Sequence, residues 1–253
     1  TAIAIERDQF LSERKAADLV RQQADFTSTL LASLSHDLRT PLTTIQVALT
    51  NLDDRTLSDA ARREQIELAQ SELARLSRLF RDILEMARID SSTLTPEREW
   101  VTASDIIDAA LANLQPLLVG RPLAINADHL HAAHVDPRLV SSALSHLIEN
   151  AAQYSPAGTP IDISGSVTAD GLHLSVTDHG PGVDPVELPR LFERFYRGRA
   201  DHVRPAGTGM GLAITRGLLA VEEGRVWAEN MPGGGARFSI TVPAESRDVA
   251  AED

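Results

Sequence analysis

Apolar positions along the chain change their period once. Leu31, Leu34, Leu38, Leu42, Ile45, Leu49 and Leu52 recur at steps of three and four, with one irregular step beside Pro41. After the polar break Asp53, Asp54 and Arg55, the positions Ile66, Ala69, Leu73, Leu76, Phe80, Ile83 and Ala87 keep strict heptad spacing. Two long helices with a short connection predict an antiparallel hairpin over residues 26–95. One hairpin has too little surface to bury both stripes, so the pattern predicts a homodimer in which two hairpins form a four-helix bundle. Residues 1–25 are polar, with only sparse apolar positions such as Phe10, Leu11, Leu19 and Val20, and read as a helical linker.

From Pro96 the texture becomes alternating strands, Gly and Pro, which marks a second domain over 96–245 and leaves 246–253 as a flexible tail. Ser104 or Asp105 is a candidate cap for a helix running to about Leu118, and Leu123 to Asn126 reads as a short strand. Asp136-Pro137 is a helix start, with the helix reaching about Tyr154. Ile161 to Thr168 and Leu172 to Asp178 form a hairpin, and Arg225 to Glu229 and Ala236 to Val242 form another that turns at Pro232 to Gly235. The predicted class is α+β: a helical hairpin followed by a two-layer sandwich, an antiparallel-rich sheet backed by helices on one face.

Composition narrows the function classes. The 253 residues carry 24 Lys plus Arg against 36 Asp plus Glu, a net charge of −12, and no cysteine. The acidic balance argues against nucleic acid as a partner and against anionic membrane, both of which want clustered basic residues. The lack of Cys excludes disulfides, zinc-cysteine sites and thiol nucleophiles. Lys15 is the only lysine and sits in a polar helical stretch, which removes a Walker P-loop and a strand lysine on ATP phosphates. No run approaches the 18 apolar residues of a membrane span, and the chain opens at Thr1, so it reads as a fragment of something longer.

Four stretches carry candidate chemistry. His36 lies two residues from both Leu34 and Leu38, about 200° round the helix, and so faces away from the bundle core with Thr40 and Thr43. An exposed helical His is usually without function, yet Asp37 is an adjacent proton acceptor and Pro41 inside a helix costs about 3 kcal/mol. The helix ending at Tyr154 sets Val140, Leu144, Leu147 and Ala151 on one face and His146, Asn150 and Gln153 on the other. A surface helix explains the polar side; an amide oxygen at Asn150 also suits Mg²⁺. Asp178-His179-Gly180-Pro181-Gly182 follows a strand, either as a plain turn or as a close approach to a planar ligand with a carboxylate to accept from its amine. Gly207-Thr208-Gly209-Met210-Gly211-Leu212 opens a helix and presents N–H groups to phosphates. Between these lie Leu191-Phe192-Glu193-Arg194-Phe195 and an Arg-rich lid from Arg197 to Ala206. His129, His131 and His134 lack an obvious fourth metal ligand and read as a solvated loop.

Taken in order, His36-Asp37-Leu38-Arg39-Thr40-Pro41, Leu147-Ile148-Glu149-Asn150-Ala151, Asp178-x-Gly180-x-Gly182, Phe192-x-x-Phe195 and Gly207-x-Gly209-x-Gly211-Leu212 resemble the H, N, G1, F and G2 boxes of bacterial sensor histidine kinases. The flanks Leu31 to Pro41 and Glu97 to Val101 are most similar to the potassium-responsive KdpD-like branch. The resemblance implies a signal-transmitting linker over 1–25, a dimerisation and phosphotransfer domain over 26–95, and an ATP-binding domain of the Bergerat type shared with gyrase, Hsp90 and MutL. It implies His36 as phospho-acceptor, Asp37 as its orienting or proton-accepting partner, and Thr40 as an aid to dephosphorylating the partner regulator. Asn150 would ligate Mg²⁺, Tyr154 would lie against adenine, Asp178 would accept from its amino group, and Gly180, Gly182, Gly207, Gly209, Gly211 and Leu212 would admit the nucleotide. The implied partners are a second copy and the receiver domain of a response regulator. The implied setting is the cytoplasmic portion of a larger sensor in the bacterial inner membrane, with membrane contact only through segments absent from this chain.

Two positions depart from the family pattern. His146 stands where a second Asn is usual, and Gln153 where a phosphate-contacting Lys or Arg is common; reduced but real ATP affinity is the expectation. Three readings therefore stand: an active kinase, a degenerate member acting as nucleotide-sensing phosphatase or scaffold, and another Bergerat ATPase.

Overall fold

The structure, a computed structural model, describes residues 38–54, 56–91, 94–112, 114–198 and 208–249. The chain divides into two compact units, Thr1–Phe80 and Arg81–Asp253. The sequence places the domain boundary at 95/96; the compact units part earlier, inside the second helix, because its last turns pack with the residues that follow.

In the first unit, α1 covers residues 38–52 and runs through Pro41, and α2 begins at Asp59 and extends to Asp90. The connection is closed by short polar bonds. Ser58 Oγ accepts from Ala61 N–H at 3.2 Å, and Asp54 Oδ1 accepts from both the N–H and the hydroxyl of Thr56. Arg62 donates to the carbonyl of Leu52 at 3.1 Å, satisfying one of the carbonyls that every helix end leaves without a partner. Asn51 Nδ2 and Gln65 Oε1 join the two helices at 3.1 Å. Ala48 and Leu79 are buried, whereas Leu42, Leu49, Ile66, Leu73 and Phe80 of the predicted stripes stay 41 to 57% exposed in the single chain.

The second unit is a two-layer sandwich. A five-stranded sheet has the order β2 (Leu123–Ala127), β4 (Ile161–Thr168), β5 (Gly171–Thr177), β7 (Ala236–Val242), β6 (Arg225–Asn230), with β2 and β4 parallel and the other pairs antiparallel. Ile161, Ile163, Leu172, Leu174, Val176, Phe238 and Ile240 alternate along the strands and are buried against α3 (Ala103–Ala112), α4 (Pro137–Tyr154) and α5 (Gly211–Val221). Ser164 and Ser175 hydrogen-bond to each other on the opposite, exposed face. A Cβ at Gly165 would stand 2.9 Å from that of Ala103, so the glycine sets how closely α3 lies on β4.

Helix α4 positions the site. Asp136 caps it, accepting from the N–H groups of Arg138 and Leu139, and Pro137 supplies a preset φ at the first turn. Its buried face is Leu139, Val140, Ala143, Leu144, Leu147, Ile148, Ala151 and Ala152, each large aliphatic contributing about 1.5–3 kcal/mol on burial. At its far end Arg121 gathers the carbonyls of Ala152, Ser155, Pro156 and Thr159.

Four expectations are corrected. Helix α3 stops at Ala112, short of Leu118, because Pro116 lacks an N–H and disfavours helical backbone at Gln115. Its cap is Thr102, which accepts from Asp105 N–H at 3.1 Å while Asp105 accepts from Thr102 N–H at 2.9 Å; Ser104 is not the cap. A second sheet was not anticipated: β1 (Glu99–Thr102), β3 (His131–Val135) and β8 (Ser246–Asp248) pair in the order β1-β3-β8. His131 and His134 therefore lie on a strand rather than a loop, with His134 stacked on Trp100, and Ser246–Asp248 of the expected tail are held by pairing with β3.

Candidate functional site

Residues from α4, the β5–β7 end of the sheet and the start of α5 converge. Asp178 follows β5 and is 3% exposed. Burial pushes its carboxyl above the usual carboxylate range, although the Gly180 N–H it accepts at 2.8 Å pulls the other way. Gly180 fits between Asp178 and the end of α4: a Cβ there would stand 2.7 Å from the Tyr154 carbonyl and 2.9 Å from Asp178 Oδ1. Gly182 takes φ +77°, a left-handed conformation that favours glycine.

Asn230, which sequence reasoning missed, pins this loop. Its Oδ1 accepts from Val183 N–H at 2.8 Å and its Nδ2 donates to the Val183 carbonyl at 2.7 Å. Gly235 was also missed; a Cβ there would meet the Asp178 carbonyl oxygen at 2.0 Å. The available signal was the Asn at the end of a strand followed by Met231-Pro232-Gly233-Gly234-Gly235, a turn rich enough in glycine to allow close approach.

The Phe motif and the second glycine loop are tied together. Phe192 is buried, and Phe195, itself at φ 61°, donates its N–H to the Gly209 carbonyl at 2.9 Å. The Thr208 hydroxyl accepts from Met210 N–H at 3.2 Å, and α5 opens at Gly211 with Leu212 in its first turn. A Cβ at Gly211 would lie 3.4 Å from His146 Nδ1, so the start of α5 faces α4 one turn before Asn150.

His146 is not the solvated residue of a polar face. Its side chain is 9% exposed, with Nε2 3.2 Å from Glu85 and Nδ1 3.9 Å from Glu149. Burial lowers its basicity, but the Glu85 hydrogen bond and the charges of Asp82, Glu85 and Glu149 outweigh it and raise the pKa above the ordinary imidazole value. Asn150, Gln153 and Tyr154 are half-buried on the same helix. The structure thus brings Tyr154, Asp178 and Gly180 together, Gly211 and His146 together, and Gly209 against Phe195. His36 and Asp37, Gly207, and the lid from residue 199 to 206 lie outside the described residues. Thr40 is exposed on α1, its carbonyl accepting from the Thr44 hydroxyl at 3.1 Å. Among the described residues no group of three His, Cys, Asp or Glu side chains has the arrangement of a metal site, and no helix is long and apolar enough to cross a membrane.

Comparison with known proteins agrees with this arrangement. Residues 27–92 match the His Kinase A (phospho-acceptor) domain, and residues 135–246 match the histidine kinase-, DNA gyrase B-, and HSP90-like ATPase family. The chain is 36% identical over 248 residues to the sensor protein KdpD of Escherichia coli K12, an alignment covering 97% of this chain and 27% of KdpD. It spans less than two thirds of the length of the curated relatives of this kind. Full-length ShkA in complex with AMPPNP superposes with TM-score 0.62 at 27% identity, covering 87% of this chain and 46% of ShkA. Histidine kinase ThkA in complex with response regulator protein TrrA gives TM-score 0.68 at 19% identity, over 88% of this chain and 64% of ThkA, and shows the shared fold. The chain belongs to the sensor histidine kinases, a phospho-acceptor domain followed by a Bergerat-type ATPase domain.

Proposed function

We propose that this chain is the core of a sensor kinase that phosphorylates itself on His36 with ATP and passes the phosphoryl group to an aspartate of a response-regulator receiver domain. The observation that carries the reading is the juxtaposition of the buried Asp178 carboxylate, Gly180 and Tyr154 at one end of a cradle whose other end is the glycine-rich start of α5. Added Cβ atoms at Gly180, Gly209 and Gly211 would meet Tyr154, Phe195 and His146 at 3.4 Å or less, so these glycines let the two loops pack closely on the end of α4, on the Phe motif and on His146. Asp178 accepts from the adenine amino group, Tyr154 lies along the base, and the N–H groups at Gly209, Gly211 and Leu212 face the phosphates. Gly182 shapes the wall of the base pocket, and Gly207 begins the phosphate loop.

Asn150 is the residue whose amide oxygen would hold Mg²⁺, which when bound neutralises phosphate charge and aligns the triphosphate for in-line attack. Neutral His36 supplies the lone pair that forms the N–P bond as the bond from the γ-phosphorus to the bridging oxygen breaks, leaving ADP. Asp37 holds the imidazole tautomer or takes its proton. Thr40, one turn along the same face, positions water against the phosphorylated regulator when the enzyme works as a phosphatase. ShkA bound to AMPPNP and ThkA bound to TrrA support a nucleotide and a receiver domain as the ligands of this core. Two copies associate through the stripe left exposed on the hairpin.

Incubation with γ-labelled ATP gives acid-labile label on the wild-type chain and none on His36→Gln, which still binds nucleotide. Bound nucleotide with no label on either chain identifies a degenerate kinase, and ATP turnover without label identifies a different Bergerat ATPase.

A further inference from the structure

The last turns of α2 grip the groups that bracket the glycine loop. Asp82 Oδ2 accepts from the Thr208 hydroxyl at 2.9 Å. Glu85 accepts from Ser142 Oγ at 2.7 Å and meets His146 Nε2 at 3.2 Å, and His146 in turn packs on Gly211 at the start of α5. Farther along, Ile89 fills the space over Gly217, where a Cβ would lie 2.8 Å from Ile89 Cγ2, and Asp90 accepts from Arg194 at 2.8 Å. Asp82 is 9% exposed and the Glu85 side chain 20%, so these are packed contacts rather than a solvated face.

Hydroxyl, imidazole and helix start are all groups that bind a phosphate oxygen as well as a carboxylate oxygen. In this arrangement the Thr208 hydroxyl and the His146 ring are occupied by carboxylates of the same chain, and the helix start is covered by His146. Glu149, 3.9 Å from His146, adds a third negative group, and Arg81 is the basic residue whose charge acts on Glu85. A triphosphate entering beside Asp82, Glu85 and Glu149 competes for Thr208 and meets repulsion.

We propose that the C-terminal turns of α2 are an autoinhibitory strap: Asp82 and Glu85 docked on Thr208 and His146 oppose nucleotide binding, and bound nucleotide in turn releases α2 from the ATP domain. This rests on the phosphate-site assignment above. It gives the unusual His146 a role, since an imidazole reaching Glu85 makes the contact that joins α2 to α4. By linkage the opposition is reciprocal, and couplings of this kind run from about 5-fold to 150-fold.

The cysteine-free chain allows a direct test. Ile89→Cys with Gly217→Cys places two thiols at the tightest point of the strap, so oxidation locks it and a reductant frees it. Titration with Mg²⁺ and a fluorescent ATP analogue is expected to give at least about 5-fold weaker binding for the oxidised than for the reduced form. Asp82→Asn with Glu85→Gln, which keeps the shape and removes the charge, is expected to bind at least about 5-fold more tightly than wild type. Equal affinity of oxidised and reduced forms, together with wild-type affinity in the charge-free variant, overturns the strap and leaves the nucleotide site standing. Absence of saturable binding at millimolar analogue in every form overturns the site assignment, and the strap with it.

Discussion

At His146 the chain trades the family's amide for a titratable ring, and the consequence is a pH dependence. Burial opposes the charged imidazole, yet the Glu85 hydrogen bond and the Asp82, Glu85 and Glu149 charges hold its pKa above the ordinary value. For Glu85, burial likewise opposes the charge, and the His146 and Ser142 hydrogen bonds overcome it to leave the pKa lowered. A raised imidazole pKa stabilises the fold fully below about 6.5, its unfolded value, and the contribution is lost as pH rises through the folded value. A lowered carboxyl pKa acts in the opposite sense, its contribution lost as pH falls through the folded value of Glu85. The melting temperature should therefore fall as pH rises from neutrality through the His146 transition. Thermal unfolding of His146→Gln, whose longer amide extends to the Nε2 position facing Glu85 but does not titrate, should lack that step. An unchanged pH profile in this variant would place the titration elsewhere. Neither partner was visible as such in the sequence, because Asp82 and Glu85 sit between heptad positions where carboxylates are the usual solvent-facing residues.

Among the elements, α4 was the most legible, since Asp136-Pro137 and an eight-residue apolar face state its start and orientation locally. The same aspartate does more than cap. It is fully buried, accepts from Glu97 N–H at 2.8 Å and Arg138 Nη2 at 2.9 Å, and its own N–H donates to Glu222 Oε1 at 3.1 Å. Asp136→Ala removes the cap, worth about 1 kcal/mol, and takes from the part-buried Glu97 N–H and from Arg138 a charge-assisted acceptor, worth about 1–3 kcal/mol. A loss of about 2–4 kcal/mol in urea unfolding is expected, and a change below 0.5 kcal/mol would contradict the buried network. The three-stranded sheet was illegible for a different reason. β3 reads His131-Ala132-Ala133-His134-Val135, with only one β-branched residue, and its partners β1 and β8 lie far from each other in sequence. Its strands are fixed by pairing and by the packing of Trp100 against His134 and Arg247, which no local pattern announces. The glycine loops were legible as motifs, but Asn230 and Gly235 became meaningful only once β6 and β7 brought them to the Asp178 loop.

At the scale of the whole molecule, the first unit leaves its apolar stripe unfinished. Ile66, Leu73 and Phe80 repeat every seventh residue along α2 and are 41, 57 and 51% exposed, while Leu42 and Leu49, also seven apart on α1, are 47 and 54% exposed. Scattered apolar residues on a surface need no partner, but a heptad row on each of two antiparallel helices has the geometry of a coiled-coil seam. A second copy related by a two-fold axis supplies the same row, so each residue is buried twice in one dimer. Leu73→Glu places a charge in that seam on both chains. Loss of one leucine's burial is worth about 1.5–3 kcal/mol, hence about 3–6 kcal/mol per dimer, which weakens association by about two to four orders of magnitude. Light scattering at micromolar concentration should give twice the monomer mass for the wild type and the monomer mass for Leu73→Glu. Nucleotide binding by the variant should persist, because the Asp178 cradle belongs to the other compact unit. A wild-type chain that stays monomeric would remove the dimer, and a variant that stays dimeric would move the seam to another face of the hairpin.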